Sequence, residues 1–170
     1  MDNLLLDLGD QPLVNNLCKS RSQSLSIEKF PLRARYNDDL LINLDTEVPP
    51  NFLYKEYLYR SGINIPYIKH CEEMFETIKH LKSKVIIDIG GNDGTLLRTF
   101  KRMFNFYKMD SSDRRFINVD ASETFLKNSL NNGIEFKNAF FNSELDLPKA
   151  DIITSTNVFQ HTKNVDSFLK

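Results

Sequence analysis

Cysteine is scarce in this chain: Cys18 and Cys71 are the only two in 170 residues. Far apart and without a CxxC pair, they exclude a disulfide framework and a zinc-ligand cluster. Two free thiols of a reducing compartment are the reading that remains. An excess of one charge sign is also lacking. Lys and Arg number 22 against 23 Asp and Glu, a formal net charge of -1. That balance leaves no global electrostatic footprint for nucleic acid or for an anionic membrane. Long apolar runs are missing as well. Leu4-Leu5-Leu6 is flanked by acids and no basic segment precedes it, so neither a signal peptide nor a membrane span is expected, and the cytoplasm is the expected location. Internal repeats and low-complexity tracts are absent. What is present is ordinary for a soluble protein, 41% hydrophobic and 26% charged. The length suits one compact domain plus an appendage.

The expected appendage is residues 1–62. Leu6 to Asn16 mixes turn residues with apolar anchors, and Lys19 to Ser26 reads as a Ser-rich loop. Leu40 to Leu44 is a candidate strand, ended by Val48-Pro49-Pro50. Over residues 63–170 the pattern alternates. Apolar residues at helical spacing (Ile68, Cys71, Met74, Phe75, Ile78, Leu81) predict a helix from about Ile65 to Lys82. Val85 to Ile89 reads as a strand, Thr95 to about Phe106 as a helix and Phe116 to Asp120 as a second strand. Ser122 is expected to cap a helix that Asn131-Asn132-Gly133 stops. Ile134 to Phe136 and Asp151 to Thr156 are further strands, and a helix starts at Val165. Such alternation predicts a parallel sheet with right-handed crossovers.

The most informative stretch is Val85-Ile86-Ile87-Asp88-Ile89-Gly90-Gly91-Asn92-Asp93-Gly94-Thr95. A strand runs into a tight glycine-bearing loop that opens a helix, where backbone amides can approach a ligand. The dinucleotide pattern G-x-G-x-x-G does not fit, because Asn92 sits where its second glycine belongs. A P-loop is excluded, since no Gly-Lys-Ser/Thr follows. Strand, acid, small residue and glycine turn fit an S-adenosylmethionine (SAM) loop instead. There Asp88 accepts from the ligand ammonium, directly or through water.

Asp120 ends the next strand at the carboxyl edge of the sheet, where such folds bind ligands. Its carboxylate can accept both ribose hydroxyls of an adenosine, with Ala121 and Ser122 near the same sugar. Both carboxylates must face the ligand for this to hold, so one turned into the interior counts against the whole proposal. Thr156 to His161 follows the Asp151 strand and should face the transferred methyl group. A histidine there can act as general base or hydrogen-bond donor, although a lone histidine is more often structural. Tyr54, Tyr57 and Tyr59 suit aromatic packing or donation to a substrate oxygen, and spacing alone does not decide between them.

Together these residues resemble the SAM-dependent sugar C-methyltransferases, which methylate a carbon of nucleotide-linked deoxyketosugars. Leu8 to Asn15 looks like that family's LGxQPLAN motif. Phe30-Pro31-Leu32 with Leu40 to Leu44 looks like its small N-terminal domain. Tyr57 to Gly62 looks like YxYxSS, Asp88 to Leu97 like DIGGNDGTLL, and Asn157 to His161 like NVFAHI. The resemblance implies a partial Rossmann-like SAM-methyltransferase fold and proton removal beside a ketone, followed by attack of that carbon on the methyl group of SAM. It implies a substrate site lined by Tyr59, with Tyr57 as the alternative, and by His161. The expected cofactor contacts are Asp88, Gly90, Gly91, Asn92, Gly94, Asp120, Ala121 and Asn157.

Two departures from the family stand out. Leu32 to Pro50 holds no cysteine, so the family's structural zinc is not expected and the appendage is a degenerate version of that domain. The family's YHEH-like base motif has no counterpart before Lys170. A half-site that binds SAM weakly in isolation is therefore expected, with a nucleotide-sugar substrate and a second chain supplying the C-terminal half as partners. The alternatives are a catalytically inactive binding or assembly subunit, and an O- or N-methyltransferase acting on a small molecule.

Overall fold

The computed structural model describes residues 3–14, 16–36, 42–44, 48–54, 57–109, 111–125, 132–162 and 165–169. The chain divides into two compact units, Met1–Tyr57 and Leu58–Lys170.

The first unit is a three-stranded antiparallel sheet, with strands β1 (Leu4–Pro12), β2 (Lys29–Tyr36) and β3 (Ile42–Leu44) in that order. The expectation of an irregular segment across Leu6 to Asn16 is corrected. Long-range pairing of β1 with β2, from Leu4 opposite Arg35 to Pro12 opposite Lys29, holds this stretch extended. Register shifts beside Asp7 absorb Gly9, whose φ of 66° a side chain would resist. Pro12 is tolerated because it ends the strand. Arg33 and Asp7 form an ion pair at 2.9 Å across the two strands. The Ser-rich stretch is not a plain loop either. A five-residue helix, α1 (Arg21–Leu25), is capped by Ser20, whose Oγ accepts from the Gln23 amide at 3.2 Å. It is too short for apolar periodicity to reveal. A further short helix, α2 (Pro50–Tyr54), follows β3. The strand expected from Leu40 starts at Ile42 among the described residues; Leu40 and Leu41 lie outside them.

The second unit is mixed α/β around a four-stranded parallel sheet, compatible with a Rossmann-like fold. Its elements are α3 (Ile65–Ile78), β4 (Val85–Ile89), α4 (Thr95–Phe106), β5 (Arg115–Asp120), β6 (Glu135–Asn138), β7 (Ile152–Ser155) and α5 (Val165–Leu169). The strand order is β6-β5-β4-β7. Helix α3 begins where Asn64 caps it, Oδ1 accepting from the Tyr67 amide at 3.2 Å. It stops four residues earlier than the periodicity predicts, with Lys79 at its C-cap. Ser122 Oγ accepts from the Thr124 amide at 3.3 Å, but the described residues beyond it form only the 3-10 turn Glu123–Phe125. Residues 126–131 of the expected helix lie outside those described.

Alternation along β4 builds a core on each side of the sheet. Ile86, with Phe116, Ile134 and Ile152, faces Cys71 and Phe75 of α3 and Leu96, Leu97, Phe100 and Phe104 of α4. Phe75 meets Phe104 edge-on at 4.8 Å between ring centroids and Phe100 at 5.7 Å. Ile87, Ile89, Ile117 and Val119 face the other way and pack with Phe141, Leu145, Leu147, Val158 and Phe168. Each fully buried side chain of this kind contributes roughly 2–3 kcal/mol.

This order matters for function. The chain moves outward from β4 to β5 and β6, then returns to place β7 on the other flank of β4. The carboxyl end of β4 is therefore a point where strand order reverses, and open α/β sheets bind ligands at such points.

Candidate functional site at the carboxyl ends of β4, β5 and β7

The loop Gly90–Gly94 leaves β4 under tight steric limits. Gly90 (φ 66°) and Gly94 (φ 76°) take left-handed backbone that favours glycine. A Cβ on Gly90 would also collide with the Val158 side chain. Gly91 lies directly over polar side chains of the sheet. A Cβ there would sit 2.6 Å from Asp88 Oδ2 and closer still to Asn118 Oδ1.

Asp88 is the correction that matters most. Its carboxylate is 1% exposed and does not face outward as expected. Asn118 and Thr154 flank it on the neighbouring strands. Thr154 Oγ1 donates to Oδ1 at 2.8 Å, while Oδ2 is buried with no hydrogen-bond partner. Burial pushes the Asp88 carboxyl up to about 7; the Thr154 hydrogen bond opposes the rise and the nearby Asp120 charge adds to it. Helix α3 adds Tyr67, whose hydroxyl shares a 3.0 Å hydrogen bond with Thr156 Oγ1 and is shifted upward, chiefly by burial.

Asp120 ends β5 and is half-buried. Oδ2 accepts the Asn92 amide at 2.8 Å and Oδ1 the Ser122 amide at 2.8 Å. Burial raises its carboxyl, against those two amide bonds. Each oxygen keeps a second acceptor position. Among the described residues, no Lys or Arg pairs with Asp88 or Asp120. With Asp88 buried and held toward its neutral form, the half-buried Asp120 is the acid that faces the strand ends, and it has no paired cation among the described residues.

The loop amides are less available than the sequence suggests. Gly90 N donates to Val119 O at 2.7 Å, Asn92 N to Asp120, and Gly94 N to Gly91 O at 2.9 Å. The Asn92 side chain, expected at the cofactor, is spent elsewhere. At 7% exposure, its Oδ1 accepts the Ser61 amide at 3.1 Å and its Nδ2 donates to Tyr59 O at 2.9 Å. Asn118 Nδ2 donates to Asn92 O at 2.9 Å.

Sequence reasoning missed Asp93 and Arg98. Asp93 Oδ2 accepts the Gly62 amide at 3.1 Å, and Oδ1 accepts from the Thr95 hydroxyl at 2.6 Å and the Thr95 amide at 3.2 Å. Arg98 donates to Asp93 O and, at 2.8 Å, to Thr95 Oγ1. An acid two residues before the first helical position was the available signal. These bonds join residues 58–62, expected with the appendage, to the second unit. Arg60 completes the contact, 6.0 Å from the centre of the Phe125 ring.

Tyr59, 42% exposed, is thus held beside the loop. Tyr57 belongs to the first unit and pairs with Tyr54 at 5.7 Å between ring centroids. Ala121 is half-buried and Ser122 is buried. Asn157 follows β7 in left-handed backbone (φ 57°) and is exposed. His161 ends the 3-10 turn Phe159–His161, exposed, its amide donating to Val158 O at 2.8 Å. Among the described residues, no group of three or more His, Cys, Asp or Glu could hold a metal ion. No helix among them is long and apolar enough to cross a membrane.

In comparison with known proteins, no family model matches the chain and no curated protein matches it.

Proposed function

We propose that the second unit binds SAM at the carboxyl ends of β4 and β5 and serves methyl transfer. The observation that carries this reading is Asp120, half-buried at the end of β5, held by the Asn92 and Ser122 amides and without a basic partner among the described residues; the inward-turned, buried Asp88 counts against the ligand contact expected of it. A ligand that brings a sulfonium and an ammonium together with a ribose diol fits that chemistry; a pyrophosphate does not. SAM, when bound, supplies a methyl group activated on a positive sulfur.

The chain's own residues then divide the work. Asp120 Oδ1 and Oδ2 offer their remaining acceptor positions to the ribose hydroxyls. Gly90 and Gly91 set the path of the loop backbone, Gly90 clearing Val158 and Gly91 lying against Asp88 and Asn118. Asp88 lies buried under Gly91, bonded to Thr154, and supports the loop from within the sheet rather than contacting the ligand. Asn157 and His161 stand after β7, on the other flank of β4, where His161 would hold or move the substrate proton. Tyr59 Oη would donate to a substrate oxygen.

The motif order favours C-methylation of a nucleotide-linked deoxyketosugar, a step in deoxysugar biosynthesis. Incubation with SAM and such a sugar, followed by product mass and carbon NMR, tests it. A new carbon-bound methyl beside the ketone is expected. An oxygen- or nitrogen-bound methyl would replace C-methylation with the other transfer classes. SAM binding without any product would leave a binding subunit.

A further inference from the structure

Asn92 bonds in two directions at once. Its backbone amide is fixed to Asp120 Oδ2 at 2.8 Å. Its side chain brackets the Tyr59–Ser61 segment, donating to Tyr59 O at 2.9 Å and accepting from the Ser61 amide at 3.1 Å. The left-handed backbone of Asn92 (φ 51°) is what allows amide and side chain to serve different partners. Asparagine tolerates that conformation better than most residues, and its amide group supplies both the donor and the acceptor that the bracket needs. The neighbouring Gly62 amide is held separately, by Asp93 Oδ2 at 3.1 Å.

We propose that Asn92 is a positioning residue that couples the Asp120 end of the cofactor site to the order of Tyr59–Ser61, so that cofactor and acceptor substrate each strengthen the other's binding. The identity of the two ligands rests on the SAM reading above; the coupling itself does not. Anything that steadies Asp120 steadies the Asn92 amide, and with it the bracket that presents Tyr59. Anything that loosens Asp120 releases the same segment, although its carboxylate bonds to Asn92 and not to Ser61. Two sites that share an ordered segment in this way bind cooperatively, because the first ligand has already paid part of the ordering entropy.

Amide hydrogen exchange by NMR on the full chain tests this, with folding of each variant checked by amide dispersion. Asn92→Gly suits the left-handed backbone and removes both side-chain bonds. It should speed exchange at Ser61 roughly tenfold and leave Gly62 near its wild-type rate. Asp120→Ala should also speed Ser61. If that variant does not fold, Asp120→Asn, with one acceptor oxygen for two amides, should give the same change at smaller amplitude. A Ser61 rate unchanged by loss of the Asp120 carboxylate overturns the coupling. SAM added to the wild-type chain should slow Ser61, and should not do so in Asn92→Gly. SAM that binds by calorimetry without slowing Ser61 also overturns it. SAM that fails to bind at all sinks the methyltransferase reading, while the Asp120 variants still decide the coupling.

Discussion

The Asn92 amide donates to Asp120 Oδ2 at 2.8 Å, across two parallel strands and 28 residues of sequence. That bond joins the loop after β4 to the end of β5, and with the Ser122 amide on Oδ1 it fixes the carboxylate's orientation. Asp120→Ala removes both charge-assisted bonds and leaves two amides to find other partners. A loss of about 1–3 kcal/mol in stability is expected, read as a lower urea midpoint with an unchanged m-value. Asp120→Asn should recover part of it.

Asp88 gives the pH dependence its sign. Its carboxyl is raised from 3.8 to about 7 in the folded chain, mainly by burial. The folded state therefore binds a proton more tightly than the unfolded state. The stability this contributes is fully present below pH 4 and is lost as pH rises toward 7. Asp120, raised for the same reason, acts in the same direction. Asp88→Asn, neutral and of similar shape, should flatten the profile between pH 4 and 7. At pH 8 it should be more stable than wild type by a few kcal/mol in chemical denaturation. A wild-type stability that rises through that window, with no change in Asp88→Asn, would contradict the assignment.

Gly91→Ala tests the packing of the loop on the sheet. Gly91 does not have a left-handed φ, so the cost is purely steric: the new Cβ meets the Asp88 and Asn118 side chains. A destabilisation on the order of 2 kcal/mol is expected by thermal or urea unfolding, with the loop displaced in a crystal structure.

How far the sequence alone goes can be seen in these same residues. The second-unit strands were legible because short apolar runs bounded by turn residues are a local signal, and β4, β5 and β7 follow it. Strand β1 was not, since its partner β2 lies far along the chain and pairing is a tertiary fact. Asp120 was placed at a strand end correctly. Asp88 was expected to face outward and does not. A strand-ending acid gives no hint of which face its side chain takes, and the Thr154 hydroxyl that receives it lies 66 residues on. Asn92 looked like a loop residue free for a ligand. Its bracket on Tyr59 and Ser61 depends on where residues 58–62 pack, which no local pattern states.

Phe75→Ala tests the core that holds α3 and α4 to the sheet. Phe75 is fully buried against Phe100 and Phe104. Truncation should cost about 3–5 kcal/mol in urea unfolding. Because α3 also carries Tyr67, amide shifts should spread to Thr156.

The most direct measurement is an amide NMR titration of the full chain with SAM, repeated on Asp120→Ala. Shifts concentrated at Gly90 to Gly94 and at Asp120 to Ser122, and lost in the variant, are the predicted result. Shifts confined to other parts of the chain, or an identical response from Asp120→Ala, would contradict a cofactor held where β4 and β5 end.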